Sequence, residues 1–196
     1  MCMYIIFSYY YATHNKCTFI NMEIIKAAGL FNHPDLVIQD KINWADLGCG
    51  TGTFTMALAS LLSKGSMIYA MDTNEQALKD IPDSYENAII KKLKGNFVTG
   101  KLGFDELDGI LMANSLHYVK DKPGFIQKVT THLNTQGCFL LVEYDTNIPN
   151  SWVPYPQSFS SLQKLFSRFG FSTVLKLNEQ PSIYNRSMMY AAVIKR

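Results

Sequence analysis

The chain is poor in charge. Of its 196 residues only 17% are Asp, Glu, Lys or Arg, and these nearly cancel to a formal net charge of +2. The densest basic cluster is Lys91-Lys92-Leu93-Lys94, which reads as a solvated strand or loop face, so no phosphate-tracking surface and no nucleic-acid partner are expected. None of the four cysteines, Cys2, Cys17, Cys49 and Cys138, belongs to a CxxC pair, which removes a zinc ribbon and a thioredoxin-like centre. Reduced thiols in a cytoplasmic protein are the expectation. His14, His33 and His132 have no cysteine or carboxylate at ligand spacing, so no metal is expected. No apolar run reaches the roughly 20 residues that span a bilayer; the longest, Met1–Tyr11, has no Lys or Arg before it and no clear cleavage site. Repeats, low-complexity tracts and linkers are missing too, which leaves one compact domain.

What is present is enough apolar material for a sizeable core: 47% of the residues are hydrophobic. Residues 1–21 stand apart, as an arm packed on the domain or as an extension upstream of a start at Met22. From Met22 the pattern alternates between helix and strand. NMEIIKAAGL is a leading helix, apolar at Ile24, Ile25, Ala28 and Leu30 and ending near Gly29. NWADLG is a buried strand, GTFTMALASLLSKG a helix closed by Gly65, SMIYAMD a second strand, and TNEQALKDIP a helix stopped by Pro82. Three further strands are expected in AIIKKLKGNF, FDELDGILMAN and GCFLLVEYD, with Pro123 opening the helix PGFIQKVTTHL. SFSSLQKLFSRFG, N-capped by Ser158, precedes two closing strands, STVLKLNE and SMMYAAVIK, joined by QPSIYNR. So short a join forces that last pair to be antiparallel. The prediction is an α/β, doubly wound, Rossmann-like sheet of about seven strands, mostly parallel with a C-terminal antiparallel hairpin and helices on both faces.

The richest stretch is WADLGCGTGTF, residues 44–54. Glycines at the end of a first strand let a ligand touch backbone, and the helix that follows favours a negative group at its start. A P-loop is excluded, because no Lys follows Gly52. The dinucleotide fingerprint GxGxxG is disfavoured, because the spacing here is GxGxG and Asp46 stands two residues before the first glycine. A carboxylate there suits an ammonium better than a pyrophosphate. Asp72 ends the second strand twenty residues beyond Gly52, where a carboxylate can accept from both hydroxyls of an adenosine ribose. Together they describe an adenosine joined to an amino acid.

These residues resemble the class I S-adenosylmethionine-dependent methyltransferases. DLGCGTG looks like their first motif and YAMDTN like the second. KGNF is similar to the third, with Asn96 where an Asp commonly meets the adenine amino group, and DGILMANSLHYV resembles the fourth, which passes the methionine end. The resemblance covers about residues 22–196 and is nearest to the small-molecule, ubiquinone/menaquinone-biosynthesis-like branch. It implies S-adenosylmethionine as cofactor, held by Asp46, Gly48, Cys49, Gly50, Thr51, Gly52, Asp72, Thr73, Asn96, Phe97, Asn114 and Ser115, and a small-molecule methyl acceptor in a monomer or homodimer.

Catalysis itself leaves fewer traces. His117 is either a general base or a residue that orients the loop after the fourth strand. Glu143 and Tyr144, at the end of the fifth strand, either hold the acceptor or cap the strand, and Glu143, like His117, is a candidate catalytic base if the acceptor atom is a hydroxyl. Tyr118, Trp152 and Tyr155 either wall an apolar acceptor or anchor loops on the core. Two other functions compete: a non-catalytic S-adenosylmethionine binder, left open by Asn96 and the lack of a clear base, and a nicotinamide-dependent oxidoreductase.

Overall fold

The computed structural model describes residues 23–34, 36, 42–182 and 188–196. The expected arm at 1–21, and the start at Met22, lie outside the described residues. Helix α1 covers residues 23–31. It is followed by β1 (Asn43–Leu47), α2 (Thr53–Ala59), β2 (Ser66–Asp72), α3 (Glu75–Lys79), β3 (Ser84–Tyr85), β4 (Ala88–Lys94) and β5 (Leu107–Ala113). A 3-10 turn (Leu116–Tyr118) then leads to α4 (Lys122–Thr130), β6 (Leu133–Tyr144), α5 (Phe159–Ser167), β7 (Thr173–Pro181) and β8 (Met188–Lys195).

The strands form one sheet in the order β3-β4-β2-β1-β5-β6-β8-β7. Neighbours from β4 to β6 are parallel, whereas β8 runs antiparallel to β6 and to β7. This is the expected mostly parallel sheet with its terminal hairpin. The eighth strand, β3, escaped the sequence reading because only Ser84 and Tyr85 pair, antiparallel to β4; two residues carry no readable period.

Period-two alternation sorts each strand between two cores. Ala45 and Leu47, Phe139 and Leu141, and Tyr190, Ala192 and Ile194 face the side covered by α4 and α5, where Phe125, Val129, Leu162 and Phe166 pack. Trp44, Leu140, Val142, Ala191 and Val193 face the side covered by α1 and α2. Each fully buried large side chain contributes roughly 1.5–3 kcal/mol. A Cβ on Gly109 would stand 2.5 Å from the Trp44 indole, so β5 keeps a glycine there to admit its neighbour's side chain.

The helix ends follow local chemistry. Asn74 accepts from the backbone N–H groups of Gln76 and Ala77, Asp121 from Gly124, and Ser158 from Ser161, the last being the expected N-cap of α5. Each such cap is worth about 1 kcal/mol. Helix α1 departs from expectation at two points. It runs through Gly29 to residue 31, and its inward stripe is Ile24, Ala27, Leu30 and Phe31, leaving Ile25 exposed. The Asn178 amide of β7 donates to the carbonyls of Gly29, Leu30 and Asn32, each at 3.2 Å, so the orphan acceptors at this helix end are satisfied from the far end of the chain. Helix α2 ends at Ala59, short of the expected closure at Gly65, which at φ 85° sits in the turn before β2.

Candidate active site

The chain winds outward from β1 to β2 on one side and reaches β5 on the other, so the sheet reverses direction between β1 and β5. Ligands of open α/β sheets bind beyond the carboxyl ends of the strands at such a point. Here the glycine turn after β1 faces the β5 end. Gly48 N–H and Cys49 N–H both donate to Met71 O at 2.8 and 3.1 Å, and Gly50 N–H donates to Asp72 Oδ2 at 2.9 Å. The end of β2 thus holds the turn in place.

Gly48, Gly50 and Gly52 have φ of 85°, 54° and 85°. A Cβ on Gly48 would fall 2.6 Å from Ser115 Cβ, and one on Gly52 would fall 2.8 Å from Ile81 Cγ1, whereas Gly50 has open space on that side. Two of the glycines therefore allow packing and the third presents bare backbone. Ser115 ties β5 to β1 by donating to Leu47 O at 2.6 Å.

Two cavities meet at Gly48 and Asn114. The smaller, about 390 Å³, is bounded by Asp72, Thr73, Asn96, Phe97, Val98, Ser115 and Tyr118. The larger, about 830 Å³, runs over Cys49, Gly50, Thr51, Thr53 and Phe54 to Glu23, Lys26 and Ala27 of α1, Tyr144 of β6, and Gln180, Pro181, Ser182 and Met189. Ten of the twelve expected cofactor residues line one of these cavities. The two that do not are Asp46 and Gly52.

Asp46 lies behind the turn, 1% exposed. Thr55 Oγ1 donates to its Oδ2 at 2.6 Å, while Oδ1 is buried with no hydrogen-bond partner. Burial lifts its carboxyl to about 7, against the Thr55 hydrogen bond and helped by the negative charge of Asp72. Asn114 is held at φ 54°, and its Oδ1 is a second buried acceptor without a partner. Two unsatisfied buried acceptors beside an open glycine turn suit a ligand that brings hydrogen-bond donors. Burial also pushes the Cys49 thiol up, so it serves as a small neutral wall.

Residues 45–139 match the protein family described as a methyltransferase domain. Over those residues the chain is similar to a methyltransferase domain. Comparison with curated proteins finds no match. Among solved structures, YcgJ of Bacillus subtilis superposes with a TM-score of 0.61 at 13% identity, covering 86% of this chain and 95% of that one. An S-adenosylmethionine-dependent methyltransferase of Mesorhizobium loti gives 0.59 at 16%, covering 80% and 91%. The arsenic(III) S-adenosylmethionine methyltransferase CrArsM of Chlamydomonas reinhardtii gives 0.63 at 12%, covering 90% and 72%. At such identities the likeness is one of fold. None of them singles out the ubiquinone/menaquinone-like branch.

The acceptor-side candidates separate in space. His117 and Glu143 meet, though 26 residues apart: Glu143 Oε1 accepts from His117 N–H at 3.1 Å, and Oε2 lies 2.7 Å from Nδ1. Both are buried and line neither cavity. The His117 ring sits 4.4 Å from that of Tyr118 and 6.0 Å from that of Tyr144, so the pair lies between the tyrosines of the two cavities. Trp152 is 80% exposed and lines neither cavity. Tyr155 is bound through its backbone, donating to His117 O at 3.0 Å and accepting from Lys122 Nζ at 2.6 Å.

Lys122 was missed by sequence reasoning. Its ammonium is buried, donates also to Val119 O at 2.9 Å, and is depressed in pKa by desolvation, partly opposed by Glu143. It staples the segment after β5 to the segment after β6. Nothing local marks it, since a lysine at a helix start reads as solvated. The α1 and β7 wall of the larger cavity was missed for the same reason: it forms only by long-range packing. Among the described residues no group of three His, Cys, Asp or Glu is placed to hold a metal, and no helix is long and apolar enough to cross a membrane.

Proposed function

We propose that this protein transfers a methyl group from S-adenosylmethionine to a small acceptor through an O, N or C atom. The observation that carries the reading is the paired cavity at the β1–β5 reversal, joined at Gly48 and Asn114 and served by two carboxylates. Asp72, already orienting the turn through Gly50, has lone pairs left for ribose hydroxyls. Thr73, Asn96 and Phe97 border the base, Gly48 to Thr51 offer backbone to the amino-acid end, Asn114 offers an acceptor to its ammonium, and Asp46 adds its charge from beneath the turn. S-adenosylmethionine, when bound, supplies an electrophilic methyl carbon on its sulfonium.

What the chain then adds is position. The larger cavity is walled by Phe54, Ala27, Ala113, Tyr144 and Met189, with Glu23 and Lys26 as its charged side chains. That lining favours an apolar or ring-bearing acceptor, in keeping with the ubiquinone/menaquinone-like resemblance. It delivers the acceptor to the junction at Asn114, where in-line approach and exclusion of water do the work. His117 and Glu143 are engaged with each other and line neither cavity, so an acceptor atom that needs little help from a base, such as a neutral amine, suits the site better than a hydroxyl. We place this domain at residues 22–196, in the cytoplasm, as a monomer or homodimer acting without nucleic acid or membrane.

The test is calorimetry with S-adenosylhomocysteine and NAD, followed by transfer of a labelled methyl group from S-adenosylmethionine to a panel of apolar amines, phenols and quinols. Binding of S-adenosylhomocysteine with product formation is expected. NAD binding alone would overturn the cofactor reading, and binding without transfer to any acceptor would favour a non-catalytic binder.

A further inference from the structure

The turn after β4 uses its acceptors on itself. Asn96 Oδ1 accepts from the N–H groups of Val98 at 2.9 Å and Thr99 at 3.2 Å, which fixes the amide orientation: oxygen toward the turn, nitrogen outward. Asn96 O accepts from Gly100 N–H at 2.7 Å. Lys128 of α4 then gathers the carbonyls of Phe97, Val98 and Gly100 at 3.3, 3.1 and 2.7 Å. Four backbone carbonyls and the one side-chain carbonyl of this turn are thereby occupied. The Phe97 ring is pinned edge-on against Phe125, with centroids 5.7 Å apart. What the side chains of Asn96 and Phe97 can still offer the 390 Å³ cavity is an apolar ring and the Nδ2 group, which only donates.

We infer that Asn96 is a specificity residue of reversed polarity, presenting hydrogen-bond donors to the base of the cofactor where a carboxylate would present an acceptor. This rests on the proposal that the adenosine occupies the smaller cavity. An amino group at the purine 6-position meets the Asn96 amide donor to donor, and a 6-oxo group meets it donor to acceptor. With the 6-position toward this turn, the site therefore gains nothing at this residue from the adenine 6-amino group. Lys128 enforces the polarity, because with its ammonium on three carbonyls none of these can swing toward the base.

The experiment measures binding of S-adenosylhomocysteine and S-inosylhomocysteine by calorimetry to the wild-type chain, Asn96→Asp and Asn96→Ala. In the wild type the inosyl ligand is expected to bind at least as tightly as the adenosyl ligand, to within about threefold. Asn96→Asp keeps one oxygen for the turn and turns the other outward as an acceptor, so it should shift the ratio by about tenfold or more toward adenosyl, the amount one hydrogen bond to a charged group is worth. Asn96→Ala removes both groups and should leave the ratio near one, which separates recognition from mere loosening of the turn. A wild-type preference of about a hundredfold for the adenosyl ligand, or a ratio unmoved in Asn96→Asp, overturns the inference. Failure of the wild type to bind either ligand overturns the cofactor reading instead.

Discussion

Asp46 is expected to tie cofactor affinity to pH. In the free protein its carboxyl is lifted to about 7, chiefly by burial, so between pH 5.5 and 7.5 it passes from mostly protonated to mostly charged. An ammonium brought over the glycine turn favours the charged form and draws the proton out. About a tenth of the molecules carry the charge at pH 6 and about nine-tenths at pH 8, so binding that requires the carboxylate tightens about tenfold across that window, or about 1.4 kcal/mol. The sign for stability is opposite. A carboxyl whose folded value lies above its unfolded 3.8 contributes stability that is fully present below about pH 4 and lost as pH rises through 7. Calorimetry with S-adenosylhomocysteine in two buffers of different ionisation enthalpy should therefore show about 0.9 proton released at pH 6 and few at pH 8. Asp46→Asn keeps the shape and a partner for Thr55, and should bind with no pH slope over this range. A flat wild-type profile, or the same slope in Asp46→Asn, refutes the role given to this carboxylate.

Three further outcomes are expected. Asp72→Ala should weaken S-adenosylhomocysteine binding by about 1–3 kcal/mol in the same calorimetric assay, through loss of a charged acceptor and of the Gly50 tether. Gly48→Ala should cost about 2–5 kcal/mol in urea unfolding, combining a left-handed backbone with a Cβ 2.6 Å from that of Ser115. Glu143→Leu leaves the buried His117 ring and N–H without their acceptor and should cost about 3–5 kcal/mol, whereas Trp152→Ala, at an 80% exposed position, should stay within about 0.5 kcal/mol; thermal unfolding of the pair separates a buried polar link from a surface aromatic.

The parts of the fold that could be read in advance are those whose causes are local. Short apolar runs bounded by glycine or asparagine marked β1, β2 and β5, and the spacing of Gly48, Gly50, Gly52 and Asp72 marked the turn and the acid that the structure joins by a hydrogen bond. The length of the closing turn forced the antiparallel hairpin. Reading failed where partners come from afar. Ala27 and Phe31 face inward and Ile25 does not, because α1 is set by the sheet beneath it and by Asn178. β6 begins at Leu133, before the Gly137 that looked like a boundary, since pairing of Leu133 with Leu107 carries the strand past it. Gln180 and Pro181, expected in a turn, continue β7 along β8. The meeting of His117 with Glu143 and the clamp of Lys128 on residues 97–100 are tertiary facts without a sequence period. Asp46 follows the expected order but not the expected depth: it lies beneath the turn and lines neither cavity.

The Asn178 link has a consequence for how the protein is made. Helix α1 is among the first described elements to leave the ribosome, yet the groups that close its end belong to the seventh strand. During synthesis the early helix has a nascent sheet to lean on but nothing to terminate it until some 150 residues more have been added. The chamber assigned to the acceptor, walled by that helix and by the β7–β8 region, is completed last. A chain that stalls or is clipped before its final hairpin lacks the wall that Gln180, Pro181, Ser182 and Met189 give the larger cavity.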